Sequence, residues 1–215
     1  MKNQILPSII ANNQTELNER FNKVKNLTNN FHVDIMDNGF VKNTFMNFNF
    51  KLPRKIKNKK TNYEAHLMMH GHKAMHWIKK NKNKVNLIII HHEANNFKPL
   101  LAHLKKQKTK TGIALKPSTS INKIKEYLND IDQVLLYIAS GLGNYGGKFL
   151  PSMLNKIKRL RKLKPNLDIE VDGGVNNKII KKLKKAGANK FVIGSYLQNS
   201  KEIKKDFDGL KGLIK

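Results

Sequence analysis

The run Leu87-Ile88-Ile89-Ile90 contains no polar residue, and Val134-Leu135-Leu136 repeats this character later in the chain. A strand with one face in water alternates apolar and polar side chains, whereas a strand covered on both faces is apolar throughout. Both runs are therefore predicted to be strands of a parallel sheet that is covered on each side.

The rest of the chain alternates between short apolar segments and segments with helical spacing. The eight strand candidates are residues 5–11, 31–36, 63–68, 85–91, 112–115, 134–138, 167–171 and 191–194. Apolar residues three or four apart predict helices at residues 17–27, 72–78, 121–128, 153–163, 179–186 and 203–213. Residues 45–56, after the second strand, are expected to hold only a short helix. This alternation predicts parallel strands joined by right-handed crossovers.

Two architectures accommodate such repeats, a closed barrel and an open doubly wound sheet. No glycine-rich dinucleotide fingerprint follows the first strand, which argues against the open sheet. We predict an α/β fold with a single-domain (β/α)8 TIM barrel spanning residues 1–215. In such barrels the chemistry lies at the carboxyl ends of the strands and in the loops that follow them.

The chain has 215 residues and a formal net charge of +27, from 42 Lys and Arg against 15 Asp and Glu. Only four of these basic residues are Arg, the side chain best suited to reading base edges, and the lysines are spread over the whole chain. We interpret the charge as a solvated lysine coat. The alternative interpretation is an electrostatic surface for a polyanion such as nucleic acid.

Composition excludes several classes of protein. Hydrophobic residues make up 39% and charged residues 27%, which is typical of a globular chain rather than a disordered one. The absence of cysteine excludes disulfides and thiolate chemistry. No apolar run approaches the roughly 18 residues of a membrane helix, so no membrane partner is expected. The first ten residues do not resemble a signal peptide, and the expected location is the cytoplasm.

Polar side chains interrupt three of the predicted strands near their carboxyl ends. Alternation places His32 and Asp34 on one face of the second strand. His66 lies near the end of the third strand, and Asp172 follows the seventh. Each signal alone is also explained by a buried His–Asp hydrogen bond or by a turn. Together the four residues would converge at one barrel mouth, where imidazole and carboxylate suit Zn²⁺, Fe²⁺ or Mn²⁺.

Glycine-rich loops follow the last three predicted strands. They are residues 140–147, Gly173-Gly174 and Gly194-Ser195. Backbone N–H groups in such loops bind phosphate, and phosphate sites after the last strands are frequent in barrels of this class. The three loops together predict a substrate that carries a phosphate.

At this level of detail the sequence resembles the ribulose-phosphate 3-epimerase family. The two most specific motifs are His-Val-Asp-Ile-Met-Asp at residues 32–37 and Glu-Val-Asp-Gly-Gly at residues 170–174. Further matches run the whole chain and include Pro7-Ser8-Ile9, Phe40-Val41, Asn43, His66-Leu67-Met68, His92-Glu93-Ala94, Gly112 to Leu115, Pro117, Gly187-Ala188-Asn189 and Gly194-Ser195.

The resemblance implies a metal-dependent epimerase that interconverts D-ribulose 5-phosphate and D-xylulose 5-phosphate through an enediolate. It implies one divalent ion, Zn²⁺, Fe²⁺, Mn²⁺ or Co²⁺, held by His32, Asp34, His66 and Asp172. The implied acid/base groups are Asp34 and Asp172. The implied substrate contacts are Ser8, His66, Met36, Met68, Gly146, Gly147, Gly173, Gly174, Gly194 and Ser195. The implied partners are a small sugar phosphate and further copies of the chain in a homo-oligomer.

The loop after the sixth strand departs from the family pattern. Residues 137–147 read Tyr-Ile-Ala-Ser-Gly-Leu-Gly-Asn-Tyr-Gly-Gly. The family usually has Met-Thr-Val, an acidic or Asn residue, and then Pro-Gly-Phe-Gly-Gly-Gln, so Tyr137 replaces a methionine that lines the site. Two alternatives follow. One is an epimerase of another ketose phosphate, such as allulose 6-phosphate, and the other is a barrel that has lost catalysis and binds a polyanion.

Overall fold

Eight parallel strands close into a barrel in the computed structural model, which describes residues 1–47, 49–143 and 147–215. The barrel strands are β1 Gln4–Ile9, β2 Asn30–Met36, β5 Asn62–Met68, β6 Leu87–His91, β7 Thr111–Leu115, β8 Gln133–Tyr137, β9 Asp168–Asp172 and β10 Lys190–Ile193. Going round the barrel, the strands follow the order β1-β10-β9-β8-β7-β6-β5-β2. The predicted fold, a single-domain (β/α)8 barrel, is confirmed.

Helices surround the barrel and connect its strands. They are α1 Gln14–Val24, α2 Gly71–Asn81, α3 Phe97–Lys106, α4 Met153–Leu163, α5 Ile180–Ala186, α6 Ser195–Gln198 and α7 Ile203–Leu213. Local chemistry explains where α1 begins, because the Asn13 side chain accepts a hydrogen bond from the backbone N–H of Glu16. Within the described segments, we find no helix with the length and apolar character needed to cross a membrane.

Three connections differ from the predicted pattern. Between β2 and β5 the described residues form no helix; the chain instead makes a small antiparallel hairpin of β3 Lys55–Ile56 and β4 Lys59–Lys60. The expectation of a short helix at residues 45–56 is therefore wrong, because Phe45 pairs with Met36 at the strand end rather than starting a turn of helix. Residues 121–127 form a 3₁₀ helix, and α3 lies in a segment for which no helix was predicted.

The apolar run in β6 shows why continuous hydrophobicity predicts this fold. Ile88 and Ile90 belong to the main core, together with apolar side chains from the surrounding helices. Leu87 and Ile89 alternate with them and pack inside the barrel against Ala114 and its neighbours. Each strand therefore buries both faces, as parallel strands covered by helices do.

A charged cluster fills the amino-terminal part of the barrel interior. Lys190 donates hydrogen bonds to the Glu64 carboxylate and to Gln133 Oε1, and its Nζ lies 3.5 Å from Glu170 Oε2. Burial raises the pKa of Glu64 to about 8, with the nearby charge of Glu170 adding to the shift and Lys190 opposing it. Burial opposes ionisation of Glu170 as well, but Lys190 and His32 hold the pKa of Glu170 well below its usual range. One lysine thus neutralises a site that contains two buried carboxyl groups.

Replacing this lysine is expected to destabilise the barrel strongly. Lys190→Met removes the cation that Glu64 and Glu170 share and leaves Glu170 with His32 alone, and loss of one partner from a buried ion pair costs about 3–5 kcal/mol of unfolding free energy. Chemical denaturation measures the effect. Lys182→Met is the matched control, because Lys182 lies exposed on α5 and its loss should stay within about 0.5 kcal/mol. Equal stability of the two variants would show that the cluster does not need its cation.

Candidate active site

The four polar residues singled out from the sequence meet inside the barrel mouth. Asp34 on β2 and His66 on β5 are cross-strand neighbours, and His66 Nδ1 lies 3.0 Å from Asp34 Oδ1. His32 Nε2 approaches the same oxygen at 3.2 Å, and Asp172 Oδ2, from the end of β9, lies 3.9 Å from His66 Nδ1. One ligand atom from each residue can be chosen so that all four lie within 4.8 Å of one another.

This donor set fits a divalent metal ion. Two imidazole nitrogens and two carboxylate oxygens suit Zn²⁺ and the neighbouring transition metals, which bind such atoms at about 2.0–2.2 Å. Ligand atoms that share such an ion would be about 3–4 Å apart, close to the separations of 3.0, 3.2 and 3.9 Å in the cluster. His32 and His66 both direct a ring nitrogen at Asp34, so the imidazoles already face a common point.

The two carboxyl groups have different proton affinities. Burial opposes ionisation of Asp34, but the imidazoles of His32 and His66 outweigh it and hold the pKa of Asp34 far below its usual range. Burial and the charge of Asp34 raise the pKa of Asp172 to about 6. A pair of carboxyl groups with separated pKa values is the arrangement in which one serves as base and the other as acid.

A cavity opens in front of the two carboxylates. Its wall includes Ser8, whose Oγ donates a hydrogen bond of 2.8 Å to Asp34 Oδ2. Met36 and Met68, cross-strand neighbours at the ends of β2 and β5, are buried side by side and form an apolar part of the same wall. His66 contacts the carboxylates but is fully buried and does not belong to the cavity wall.

The glycine-rich loops meet on the other side of this cavity. Gly147, Gly173, Gly174, Gly194 and Ser195 all belong to its wall, whereas Gly146 lies outside the described residues. Gly174 has φ +68°, and a Cβ there would lie 2.8 Å from the carbonyl oxygen of Gly147. The loops after β8 and β9 therefore touch through backbone atoms, a contact that requires glycine.

Comparison with known proteins identifies the family of this chain. The model of the ribulose-phosphate 3 epimerase family matches residues 4–198. The chain belongs to this family. Its enzyme class is that of the isomerases, and more narrowly of the epimerases that act on carbohydrates.

Individual relatives agree with this assignment. The chain is similar to ribulose-phosphate 3-epimerase of Buchnera aphidicola, with 37% identity over 90% of this chain and 87% of the relative. It is 30% identical to ribulose-phosphate 3-epimerase of Bacillus subtilis over 97% of this chain and 98% of that protein. In structure it is similar to 3-keto-L-gulonate-6-phosphate decarboxylase of Vibrio cholerae, with a TM-score of 0.72 over 100% of this chain and 98% of the other. Identity there is 12%, so this likeness concerns the fold alone.

Residues 137–147 depart from the pattern of the ribulose-phosphate 3 epimerase family. Two large side chains of this segment lie at the mouth of the barrel. Tyr137, at the end of β8, belongs to the cavity wall and donates a hydrogen bond of 3.2 Å to the carbonyl oxygen of Gly141. Leu142 packs both against the interior cluster that contains Tyr137 and against the cluster that contains Met36 and Met68. This side chain therefore lies across the mouth of the barrel.

Behind the predicted ligand His66 lies a row of side chains that was not predicted from the sequence. The Nε2 atoms of His66 and His91 are 2.9 Å apart, and His91 Nδ1 lies 3.0 Å from Glu93 Oε2. Burial lowers the pKa of His91 to about 4. β6 ends at His91 and Glu93 follows in the next turn, so the sequence signal for this pair was an imidazole and a carboxyl group close together at a strand end.

Proposed function

We propose that this epimerase interconverts D-ribulose 5-phosphate and D-xylulose 5-phosphate, with Asp34 and Asp172 as its acid and base. The observation that carries the proposal is that two carboxyl groups, buried Asp34 and partly buried Asp172, line the same cavity and come from different strands of the barrel. Epimerisation at the carbon beside a ketone removes a proton from one face and returns a proton to the other. That reaction needs two groups of this kind, on opposite sides of a planar enediolate.

The barrel topology suits this division of roles. Asp34 is carried by β2 and Asp172 by β9, and the two strands are separated around the barrel by β1 and β10. A substrate held between them meets one carboxyl group from each side. The imidazoles of His32 and His66 keep Asp34 ionised, and the raised pKa of Asp172, about 6, allows Asp172 to exchange a proton near neutral pH.

We further propose that His32, Asp34, His66 and Asp172 hold one divalent ion, Zn²⁺, Fe²⁺, Mn²⁺ or Co²⁺. When bound, the ion would act as a Lewis acid that stabilises negative charge developing on the substrate oxygens. The protein contributes the surroundings of this charge. Ser8 fixes one oxygen of Asp34, and Met36 and Met68 exclude water without offering competing hydrogen-bond donors.

The phosphate end of the substrate is assigned to the glycine-rich loops. Backbone N–H groups of Gly173, Gly174, Gly194 and Ser195, with Gly147 beside them, would bind its oxygens. Gly146 belongs to the same assignment from its sequence position. A net charge of +27 adds a positive field that attracts a dianionic sugar phosphate.

Two alternative functions followed from the sequence, an epimerase of another ketose phosphate and a barrel that has lost catalysis and binds a polyanion. The second is the weaker, because all four candidate ligands remain together.

An epimerase assay tests this proposal. Purified protein loaded with each candidate metal is supplied with D-ribulose 5-phosphate, and xylulose 5-phosphate is followed by a coupled reaction that consumes it. We expect turnover with at least one metal. A protein that binds one metal ion per chain and makes no xylulose 5-phosphate would contradict the proposed reaction.

The size of the sugar provides a second test of the site. Tyr137 and Leu142 narrow the cavity on the side of the altered loop, so a hexulose 6-phosphate must fit one more hydroxymethylene group beside them. We expect kcat/KM for D-ribulose 5-phosphate to exceed that for allulose 6-phosphate by about 10–200-fold, the usual discrimination for one carbon. Steady-state kinetics with both sugars measure the ratio. A ratio below one would favour the hexulose phosphate as the natural substrate.

A further inference from the structure

We propose that Glu93 and His91 are positioning residues that fix the hydrogen of His66 on Nε2, so that its Nδ1 lone pair faces the metal. This inference rests on the proposed function, because it concerns the ion that His66 would bind. Neither Glu93 nor His91 contacts the cavity, and both act only through His66. The three side chains form one continuous line behind the site, with separations of 2.9 and 3.0 Å.

The direction of each hydrogen bond follows from Glu93. A carboxylate only accepts hydrogen bonds, so His91 Nδ1 must carry the hydrogen that faces it. The other nitrogen of a neutral His91 is then an acceptor, and the hydrogen between the two rings must belong to His66 Nε2. His66 Nδ1 lies 3.0 Å from Asp34 Oδ1, and a hydrogen on Nδ1 would be donated to that carboxylate. A bound ion would take the place of this hydrogen, and a ring with its remaining hydrogen on Nε2 would present the Nδ1 lone pair to the ion.

Glu93 is itself held in place by the next loop. Its Oε1 accepts hydrogen bonds from the backbone N–H of Lys116, at 2.8 Å, and from the Thr119 hydroxyl. That leaves Oε2 for His91. The Phe40 ring lies 4.8 Å from the His91 ring, and Lys116 Nζ lies 4.2 Å above Phe40. His91 is fully buried next to these side chains, so water does not compete for hydrogen bonds with its ring nitrogens.

Glu93→Gln should reverse the chain of hydrogen bonds. Lys116 N–H and the Thr119 hydroxyl both require an acceptor, so the amide oxygen takes the place of Oε1 and the NH₂ group faces His91. His91 must then accept at Nδ1 and donate from Nε2, and His66 Nε2 becomes the acceptor. The hydrogen of His66 moves to Nδ1, where it blocks the metal.

Metal affinity measures this reversal without any need for turnover. Co²⁺ is titrated into the metal-free wild type and into Glu93→Gln, and binding is followed by visible absorption. We expect the dissociation constant to rise about 10–100-fold in the variant, the usual effect of losing a partner that orients a ligating histidine. Glu126→Gln is the matched control, because Glu126 is exposed and contacts no part of this chain of residues; its affinity should equal that of the wild type.

The outcomes separate this inference from the proposed function. If Glu93→Gln binds Co²⁺ as tightly as the wild type, the positioning role is wrong and the metal site stands. If the wild type itself binds no Co²⁺, both the metal site and the positioning role are overturned. A weaker but still measurable Co²⁺ affinity confined to Glu93→Gln supports both.

A spectroscopic measurement on the wild type makes the result independent of how well any variant folds. Proton–nitrogen correlation spectra of the Zn²⁺-loaded, ¹⁵N-histidine-labelled protein report which nitrogen carries the hydrogen. We expect His91 to carry it on Nδ1 and His66 on Nε2. A hydrogen on Nε2 of His91 would overturn the inference. If Glu93 had only a structural role, neither position of the hydrogen on His91 would be preferred.

Discussion

Asp172→Asn is expected to lower kcat for epimerisation about a thousandfold, within the range usual for loss of an acid/base group. The amide has nearly the shape of the carboxyl group, so the strand end should stay folded. It cannot deliver a proton to the enediolate, and one face of the substrate is left without a donor. Coupled kinetics with D-ribulose 5-phosphate measure the loss, and metal content is determined on the same preparation.

Hydrogen exchange distinguishes this role from general damage to the site. Because Asp34 remains, one of the two epimers should still exchange its C3 hydrogen with D₂O, even though inversion has stopped. Asp168→Asn is the matched control: Asp168 lies on the same strand at the opposite end of the barrel, and full activity is expected. Full turnover by Asp172→Asn, or exchange lost with both epimers while the metal is bound, would contradict two carboxyl groups working on opposite faces.

Removal of the metal is expected to lower kcat/KM at least about a hundredfold, because Lewis-acid stabilisation of an oxyanion lowers the activation barrier by several kcal/mol. Dialysis against a chelator followed by return of a single divalent ion should abolish and then restore activity. The four donors lie close together, three of them buried and Asp172 partly exposed, so the recovery should saturate at one ion per chain.

A variant that cannot hold the ion shows whether the recovery comes from this site. His32→Ala removes one imidazole from the cluster, and return of the ion should not restore its activity at concentrations that saturate the wild type. Full activity of the chelated wild type, with no metal detected, would contradict metal dependence. Equal recovery in His32→Ala would place the ion elsewhere.

The barrel could be predicted from sequence because its strands bury both faces. A run such as Leu87 to Ile90 has no other simple interpretation when eight strands alternate with helices. The connection after β2 was mispredicted for a local reason. Phe45 forms a bridge with Met36, and Lys57 and Asn58 adopt positive φ in the hairpin turn, a geometry that apolar spacing does not reveal.

The candidate site was predictable where one strand carries two of its residues, as β2 carries His32 and Asp34. Contacts between segments that are distant in the sequence could not be predicted. Nothing in the sequence pairs Glu93 with Lys116 or Thr119, because those hydrogen bonds depend on how two loops meet. The interpretation of the lysines as a solvated coat was also wrong for one residue. Lys190, counted with the solvated coat, is only 4% exposed and neutralises carboxyl groups inside the barrel.

The measurement that tests the central claim most directly is proton NMR of D-ribulose 5-phosphate in D₂O with the metal-loaded wild-type protein. Removal of the C3 proton by one carboxyl group and its return by the other, after exchange with solvent, predicts xylulose 5-phosphate with deuterium at C3. Product that keeps its original hydrogen at C3, or the absence of product from a protein with one metal ion bound, would contradict the account.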